Sequence, residues 1–437
     1  MDPTVSFMSF EGWINSPFAH YNAPTQFVTQ KVSHFNGSEK RQWKQTNSRS
    51  TYADDVSKSA FQYFYSNTNN SRDANLNFLI MGGEWNIELS DVQDGRNMIM
   101  KWARHFGASV YSLGHRFYGK SQPLGNLKVE SLKYLTVEEA IADAALFIET
   151  INSQKNLTHP KWVVFGMSYP GALAVWFRQK YPDLTVGCVA SSPPVRAVVD
   201  NDYLFKIVEN DLNKYGPENC TSNIRRYFSK YQSLLATEQG RRKIGACYEG
   251  SEKKWTEKDA QLYTALAVLT DMSKSGISLE FRTGILDDDF EHKKLKKICA
   301  EFKRLADEIE DVPSRSETLK VCKRLSFKNL AMLLQNPHTV SVVAYFRAFA
   351  WQLCTEFGWF PTIKGTNLMI LNGSEDPIHP LSLYDTPNDT VKSIIVPDIS
   401  HTKDLRGDSD SDPQSLKNAR ERVKAEIEKW LNASVAN

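Results

Sequence analysis

Between about residue 75 and residue 195, short apolar runs alternate with helically periodic stretches. Residues 75–81 (Asn-Leu-Asn-Phe-Leu-Ile-Met) read as a strand that runs into Gly82-Gly83-Glu84-Trp85. Residues 94–106 read as a helix with Met98, Met100, Trp102 and Phe106 as its apolar positions. A second strand spans 107–113 and opens into Gly114-His115-Arg116-Phe117-Tyr118-Gly119-Lys120-Ser121. Residues 136–151 predict a strong helix: Thr136 is its N-cap, Glu139 completes a capping box, and Ile141, Ala144, Ala145 and Ile148 form its apolar face. Residues 162–167 and 185–190 are two further strands. Strands alternating with helices imply a mostly parallel sheet covered on both faces.

The pattern then changes. Strand signals fade from about Arg196 to Phe357 and helical periodicity dominates. Sheet-like runs resume at 367–371 and 392–396, and residues 413–431 form an amphipathic helix with Leu416, Val423, Ile427 and Trp430 on one face. The expected organisation is an α/β domain built from 1–195 and 358–437, interrupted by a helical insertion at 196–357. Residues up to about Arg72 read as polar and irregular.

Chemistry concentrates at Gly166-Met167-Ser168-Tyr169-Pro170-Gly171, which lies between a strand and a helix. That context defines a nucleophile elbow, a tight turn that lifts the Ser168 hydroxyl above the sheet edge. Gly166 and Gly171 allow strand and helix to pass closely, and Pro170 suits a first helical turn. A serine needs a base, and the base needs an orienting carboxylate. Asp376 and His401 follow in the order this fold uses, each just past a strand. Glu375 and Asp398 compete with Asp376 as the acid, and His379 is a weaker base candidate. The backbone N–H of Tyr169, with one from Gly83 or Glu84, forms the expected oxyanion hole. Phe346, Trp351 and Trp359 are candidate walls of an apolar substrate pocket, with ordinary core packing as the alternative.

Charge narrows the partners. Lys and Arg number 53 against 51 Asp and Glu, without a long basic run, so nothing points to nucleic acid. No segment has the apolar length of a membrane span. The six cysteines (Cys188, Cys220, Cys247, Cys299, Cys322, Cys354) lack zinc spacing, so no metal and no organic cofactor is expected. Their even count fits disulfides of unspecified pairing. Sequons at Asn36, Asn69, Asn156, Asn219, Asn372, Asn388 and Asn432 point the same way, to a secretory route. Residues 1–6 show neither a basic n-region nor an apolar h-region, so a leader is expected to be missing from this chain. Asp408-Ser409-Asp410-Ser411-Asp412 has the opening spacing of a calcium loop, but Pro413 replaces the required glycine, and a capped helix start is expected.

At these residues the chain resembles the serine carboxypeptidase family that contains lysosomal Pro-X carboxypeptidase, dipeptidyl peptidase II and thymus-specific serine protease. The likeness runs from Gln30 through His34-Phe35-Asn36 and Gly82-Gly83-Glu84 to His115-Arg116-Phe117-Tyr118-Gly119-Lys120-Ser121. It continues through Leu135-Thr136 to Ala142-Asp143 and the elbow with Trp176-Phe177-Arg178. Residues 190–198 and 354–358 look most like the thymus-specific branch. The resemblance implies an α/β-hydrolase with a disulfide-bonded helical cap, acting as a secreted or lysosomal exopeptidase. Peptides trimmed often after proline would be its substrates, Ser168, Asp376 and His401 its triad, and a homodimer is compatible with it. Gly114 and Ile378 depart from the family's usual glutamate and tryptophan, and Met167 and Pro170 are variants within the elbow. The stretch between Gly358 and Asn367 is several dozen residues shorter than in relatives. A lipase or esterase of the same fold, or a truncated, catalytically impaired peptide-binding relative, are the competing readings.

Overall fold

A computed structural model describes residues 26–43, 61–67, 75–93, 97–196, 203–244, 292–309, 342–356, 366–384, 386 and 388–433. In chain order the strands are β1 (Gln26–Val28), β2 (Gln30–Lys31), β3 (Gln42–Trp43), β4 (Phe61–Asn67), β5 (Leu76–Met81), β6 (Ser109–Leu113), β7 (Lys161–Met167), β8 (Gly187–Ser191), β9 (Leu368–Gly373) and β10 (Val391–Val396). The helices are α1 (Ser90–Gln93), α2 (Met98–Phe106), α3 (Val129–Leu132), α4 (Val137–Gln154), α5 (Tyr169–Lys180), α6 (Tyr203–Tyr215), α7 (Cys220–Ala236), α8 (Glu238–Lys243), α9 (His292–Glu308), α10 (Val342–Thr355) and α11 (Gln414–Ala433).

Eight strands form one sheet in the order β1-β4-β6-β5-β7-β8-β9-β10. From β6 to β10 every pairing is parallel, while β4 runs antiparallel to both β1 and β6. Both faces are covered, as a parallel sheet requires. Leu79, Tyr111, Trp162, Val164, Ala190 and Ile370 face α4, α5 and α10. Their alternates Phe78, Val110, Val163, Phe165, Val189, Met369 and Leu371 face α2 and α11. This is the α/β-hydrolase arrangement, with β7 at the centre and an N-terminal antiparallel edge.

The chain divides into two compact units. One holds Tyr21–Leu204 and Asn336–Asn437 with the sheet, and the other is formed from Phe205–Gln335. These boundaries lie inside the helical stretch expected at 196–357, because α10 packs on the sheet through Ala344 and Ala348. The second unit has a small core of Leu212, Tyr227, Tyr231, Leu295, Ile298 and Phe302. A disulfide between Cys220 and Cys299, 79 residues apart in sequence, joins α7 to α9 within it. Cys188 is buried in β8 and Cys354 is exposed on α10, both as thiols. Cys247 and Cys322 lie outside the described residues.

Three local expectations change. Strands β1 to β4 occupy part of the stretch read as irregular. Thr136 does cap α4, accepting a hydrogen bond from the Glu139 N–H at 3.1 Å, but the Glu139 carboxylate does not serve as the other half of a capping box. It accepts instead from the Ser33 hydroxyl at 2.5 Å and the His34 N–H at 2.8 Å, drawing the N-terminal segment onto α4. Asn372 lies within β9 at 0% exposure, so the folded chain cannot present this sequon. Asn36, Asn156, Asn219, Asn388 and Asn432 are exposed, and Asn69 lies outside the described residues.

Candidate active site

The elbow owes its shape to a bend that most residues avoid. Ser168 has φ 60° and ψ −130°, in the positive-φ region where an L side chain is strained. Its N–H donates to the Ser191 carbonyl at 2.9 Å, and its carbonyl accepts from the Ala172 N–H at 3.1 Å as α5 begins. A Cβ on Gly166 would sit 2.0 Å from the Pro170 carbonyl oxygen, so strand and helix can close to this distance only over glycine. A Cβ on Gly171 would meet the Ser191 carbonyl oxygen at 3.0 Å. Pro170 stands in the first turn of α5, where its missing N–H is not needed. Gly83, just past β5, approaches the same turn: a Cβ there would lie 2.4 Å from the Pro170 ring. The Gly82-Gly83-Glu84 backbone is therefore packed against Tyr169-Pro170.

The acid and base loops follow β9 and β10. Asp376 is fully buried, and its carboxylate accepts from the Ile378 N–H at 2.8 Å. Nδ1 of His401 lies 3.0 and 3.1 Å from the two Asp376 carboxylate oxygens. A carboxylate can only accept, so Nδ1 carries a proton, and in the neutral ring Nε2 holds the lone pair. The two loops are laced together. Glu375 N–H donates to the Ile399 carbonyl at 3.0 Å, and Asp398 N–H donates to the Ser374 hydroxyl at 2.9 Å. The base loop is tied in turn to the strand beside the elbow. Thr402 N–H donates to the Ser192 hydroxyl at 3.1 Å, and the Ser191 hydroxyl donates to Asp404 at 2.5 Å. Ser168, Asp376 and His401 thus occupy the carboxyl ends of β7, β9 and β10, where open α/β sheets bind their ligands.

The rival candidates lie elsewhere. His379 pairs with the Tyr384 hydroxyl, Glu375 accepts from the Ser374 hydroxyl at 3.1 Å, and Asp398 turns at φ 58°. Asp412 accepts from the Ser409 N–H at 2.9 Å and from Arg420 at 2.5 Å, the capped turn expected ahead of α11. Of the pocket candidates, half-buried Trp351 packs against the sheet core, Phe346 belongs to α10, and Trp359 lies outside the described residues. Trp85, next in sequence to Gly82-Gly83-Glu84, meets the Tyr345 ring edge-on at 6.1 Å. Glu84 is half-buried. Desolvation pushes its carboxyl up from the usual range, against an opposing pull from the nearby His401.

Four side chains behind the elbow were not singled out in the sequence. Tyr169 is buried, its hydroxyl 3.0 Å from His115 Nε2 and 2.8 Å from Gln352 Nε2. Gln352 Oε1 accepts from the Tyr118 hydroxyl at 2.6 Å, and His115 Nδ1 lies 2.7 Å from the Arg116 carbonyl. Burial pushes the His115 imidazole down to about 4 and both tyrosine hydroxyls well up. Gln352 has a signal after all. It continues the buried Ala344-Ala348 stripe of α10 at four-residue spacing, and a polar residue on such a stripe needs a partner.

A strained serine after the central strand, a glycine segment against its turn, and a His–Asp pair on the neighbouring loops define a serine hydrolase of the α/β class. The profile of the serine carboxypeptidase S28 family matches residues 30–367 and 361–423, and the chain belongs to that family. It is a serine-type exopeptidase. Mouse thymus-specific serine protease is 27% identical over 417 residues, covering 81% of this chain and 80% of its own. Bovine lysosomal Pro-X carboxypeptidase is 26% identical over 399 residues, covering 76% of each. Among solved structures, the proline iminopeptidase of Mycobacterium smegmatis is similar at a TM-score of 0.38 and 11% identity, over 87% of this chain and 97% of that one. No described helix is long and apolar enough to cross a membrane.

Proposed function

We propose that this exopeptidase trims short peptides next to proline through a triad of Ser168, His401 and Asp376. The observation that carries the reading is the Asp376–His401 pair, which leaves Nε2 as the base on the same sheet edge as the strained Ser168. Ser168 Oγ attacks the scissile carbonyl while its proton passes to His401 Nε2. Asp376 orients the ring and stabilises the imidazolium. The negative oxygen is met by the Tyr169 N–H, in the first turn of α5, and by an N–H of Gly83 or Glu84. His401 then gives the proton to the leaving amine, and water repeats the sequence on the acyl-enzyme. The Trp85–Tyr345 pair offers apolar ring surface of the kind a proline ring packs against. The lysosomal relative supports a secreted or lysosomal setting.

The test is labelling with a fluorophosphonate. Wild type should be labelled. Ser168→Ala should abolish the label, and His401→Ala should slow it by about 10⁴-fold or more. Peptides blocked at either end, with and without proline, then fix the end trimmed and the proline preference. A folded wild type that labels no faster than Ser168→Ala would overturn the triad.

A further inference from the structure

Ser168 is held in a conformation that strains an L residue, and turning over the peptide between Ser168 and Tyr169 would relieve it at the cost of the hydrogen bond its carbonyl accepts from the Ala172 N–H. That peptide carries the N–H expected to meet the oxyanion. The Ala172 N–H holds this peptide's carbonyl from within α5 at 3.1 Å, and from outside the helix Tyr169 can be gripped only by its ring and hydroxyl.

The grip is fully directional. The Arg116 carbonyl can only accept, so His115 Nδ1, 2.7 Å away, carries the ring proton. Neutral His115 therefore presents a lone pair at Nε2, and the Tyr169 hydroxyl donates to it across 3.0 Å. Gln352 turns its amide N–H towards the Tyr169 oxygen at 2.8 Å and its carbonyl towards the donating Tyr118 hydroxyl at 2.6 Å. Reversing the Gln352 amide would set N–H against O–H at one end and oxygen against a committed donor at the other. All four side chains are at most 4% exposed, so water cannot replace a lost partner at little cost.

Resting on the triad reading above, we propose that Gln352 of α10 and His115 are positioning residues that hold the oxyanion N–H of Tyr169 by anchoring its hydroxyl. Neither touches substrate. Their action is in the transition state, where the charge on the oxygen develops, and so in the rate of acylation rather than in binding.

The experiment measures fluorophosphonate inactivation of the full chain, separating the maximal rate from the half-saturating concentration. Gln352→Met keeps length and bulk and removes both bonds. Its maximal rate should fall about tenfold, a fraction of the ~10²–10³-fold lost with an oxyanion donor, and half-saturation should stay put. Gln352→Glu adds a readout that a packing role would not move. When protonated, at about pH 5, the acid has one donor and one acceptor and mimics glutamine; ionised, at about pH 8, it only accepts. Its rate relative to wild type should be near unity at the lower pH and fall at the higher one, while urea unfolding shows both samples folded. A Gln352→Met rate within about twofold of wild type, a change confined to half-saturation, or a Gln352→Glu profile parallel to wild type overturns the proposal. Those results leave the triad standing, because wild type is still labelled at Ser168. Loss of wild-type labelling would instead overturn the triad reading, and this inference with it.

Discussion

One short stretch, His115 to Tyr118, feeds two buried polar networks of opposite character. Arg116 serves an ionic one. Its guanidinium donates to Asp143 at 2.6 and 2.7 Å and to the carbonyls of Tyr134, Val32 and Lys31 at 2.8, 3.2 and 3.4 Å. Asp143 is also met by His34 Nε2 at 2.8 Å. Every guanidinium N–H has an acceptor, and the N-terminal strands are thereby fastened to α4. His115 and Tyr118, on either side, serve the network around Tyr169, which carries no charge. An ionic cluster tolerates small shifts, because attraction between charges depends weakly on angle. A chain of neutral hydrogen bonds does not, because each weakens steeply off axis. The charged half fixes where segments lie, and the neutral half fixes which way one group points.

The largest effect should come from the ionic half. Arg116→Met leaves buried Asp143 without its guanidinium and with only His34 Nε2 against it, at about 3–5 kcal/mol. That is a large share of a typical domain's ~5–15 kcal/mol, and urea unfolding should show a collapse of the midpoint or no soluble protein. A midpoint near wild type would mean that the cluster is not what fastens the N-terminal strands.

Next comes the pH dependence of the neutral half, which is neutral because burial holds His115 at about 4 rather than 6.5. A lowered histidine favours the folded state above its unfolded value, so stability is lost as pH falls from about 6.5 towards 4, by about 3 kcal/mol in all. Buried Asp404 and half-buried Asp91, both raised by desolvation to about 6 from 3.8, have the opposite sign. Their contribution is present below about pH 4 and lost as pH rises through about 6. Two falling slopes against one rising slope leave wild-type stability with a net fall as pH rises between these values. His115→Gln should steepen that fall and Asp404→Asn should level it, as read by urea midpoints at several pH values. Parallel curves for the two variants would remove the contrast.

The smallest effect belongs to a pair outside both networks. Lys180 meets Glu138 on the surface, with side chains 35% and 59% exposed. Lys180→Met should shift stability by less than about 0.5 kcal/mol.

The sheet, the elbow and the His–Asp loops were legible because each is local. Apolar runs of strand length end in turn residues, and the chemistry follows within a few positions. The N-terminal strands were not. β1 and β2 are two or three residues long, and β4 is an antiparallel strand whose place is set by pairing with β6. Gln352 was missed because its partner lies 183 positions away, and nothing near it in the chain states the need. The capping box at Glu139 was half right for the same reason: a local motif yielded its carboxylate to a distant segment.

Asn372 carries the plainest lesson about how this molecule is made. In a glycosylating compartment the growing chain passes the sugar transferase before β9 has docked, with the Asn-Gly-Ser triplet open. The finished protein has that side chain buried on a face of the sheet, on a strand flanked by β8 and β10. A sugar added there could never enter the sheet. Made in such a compartment, this chain would set strand docking against modification at Asn372.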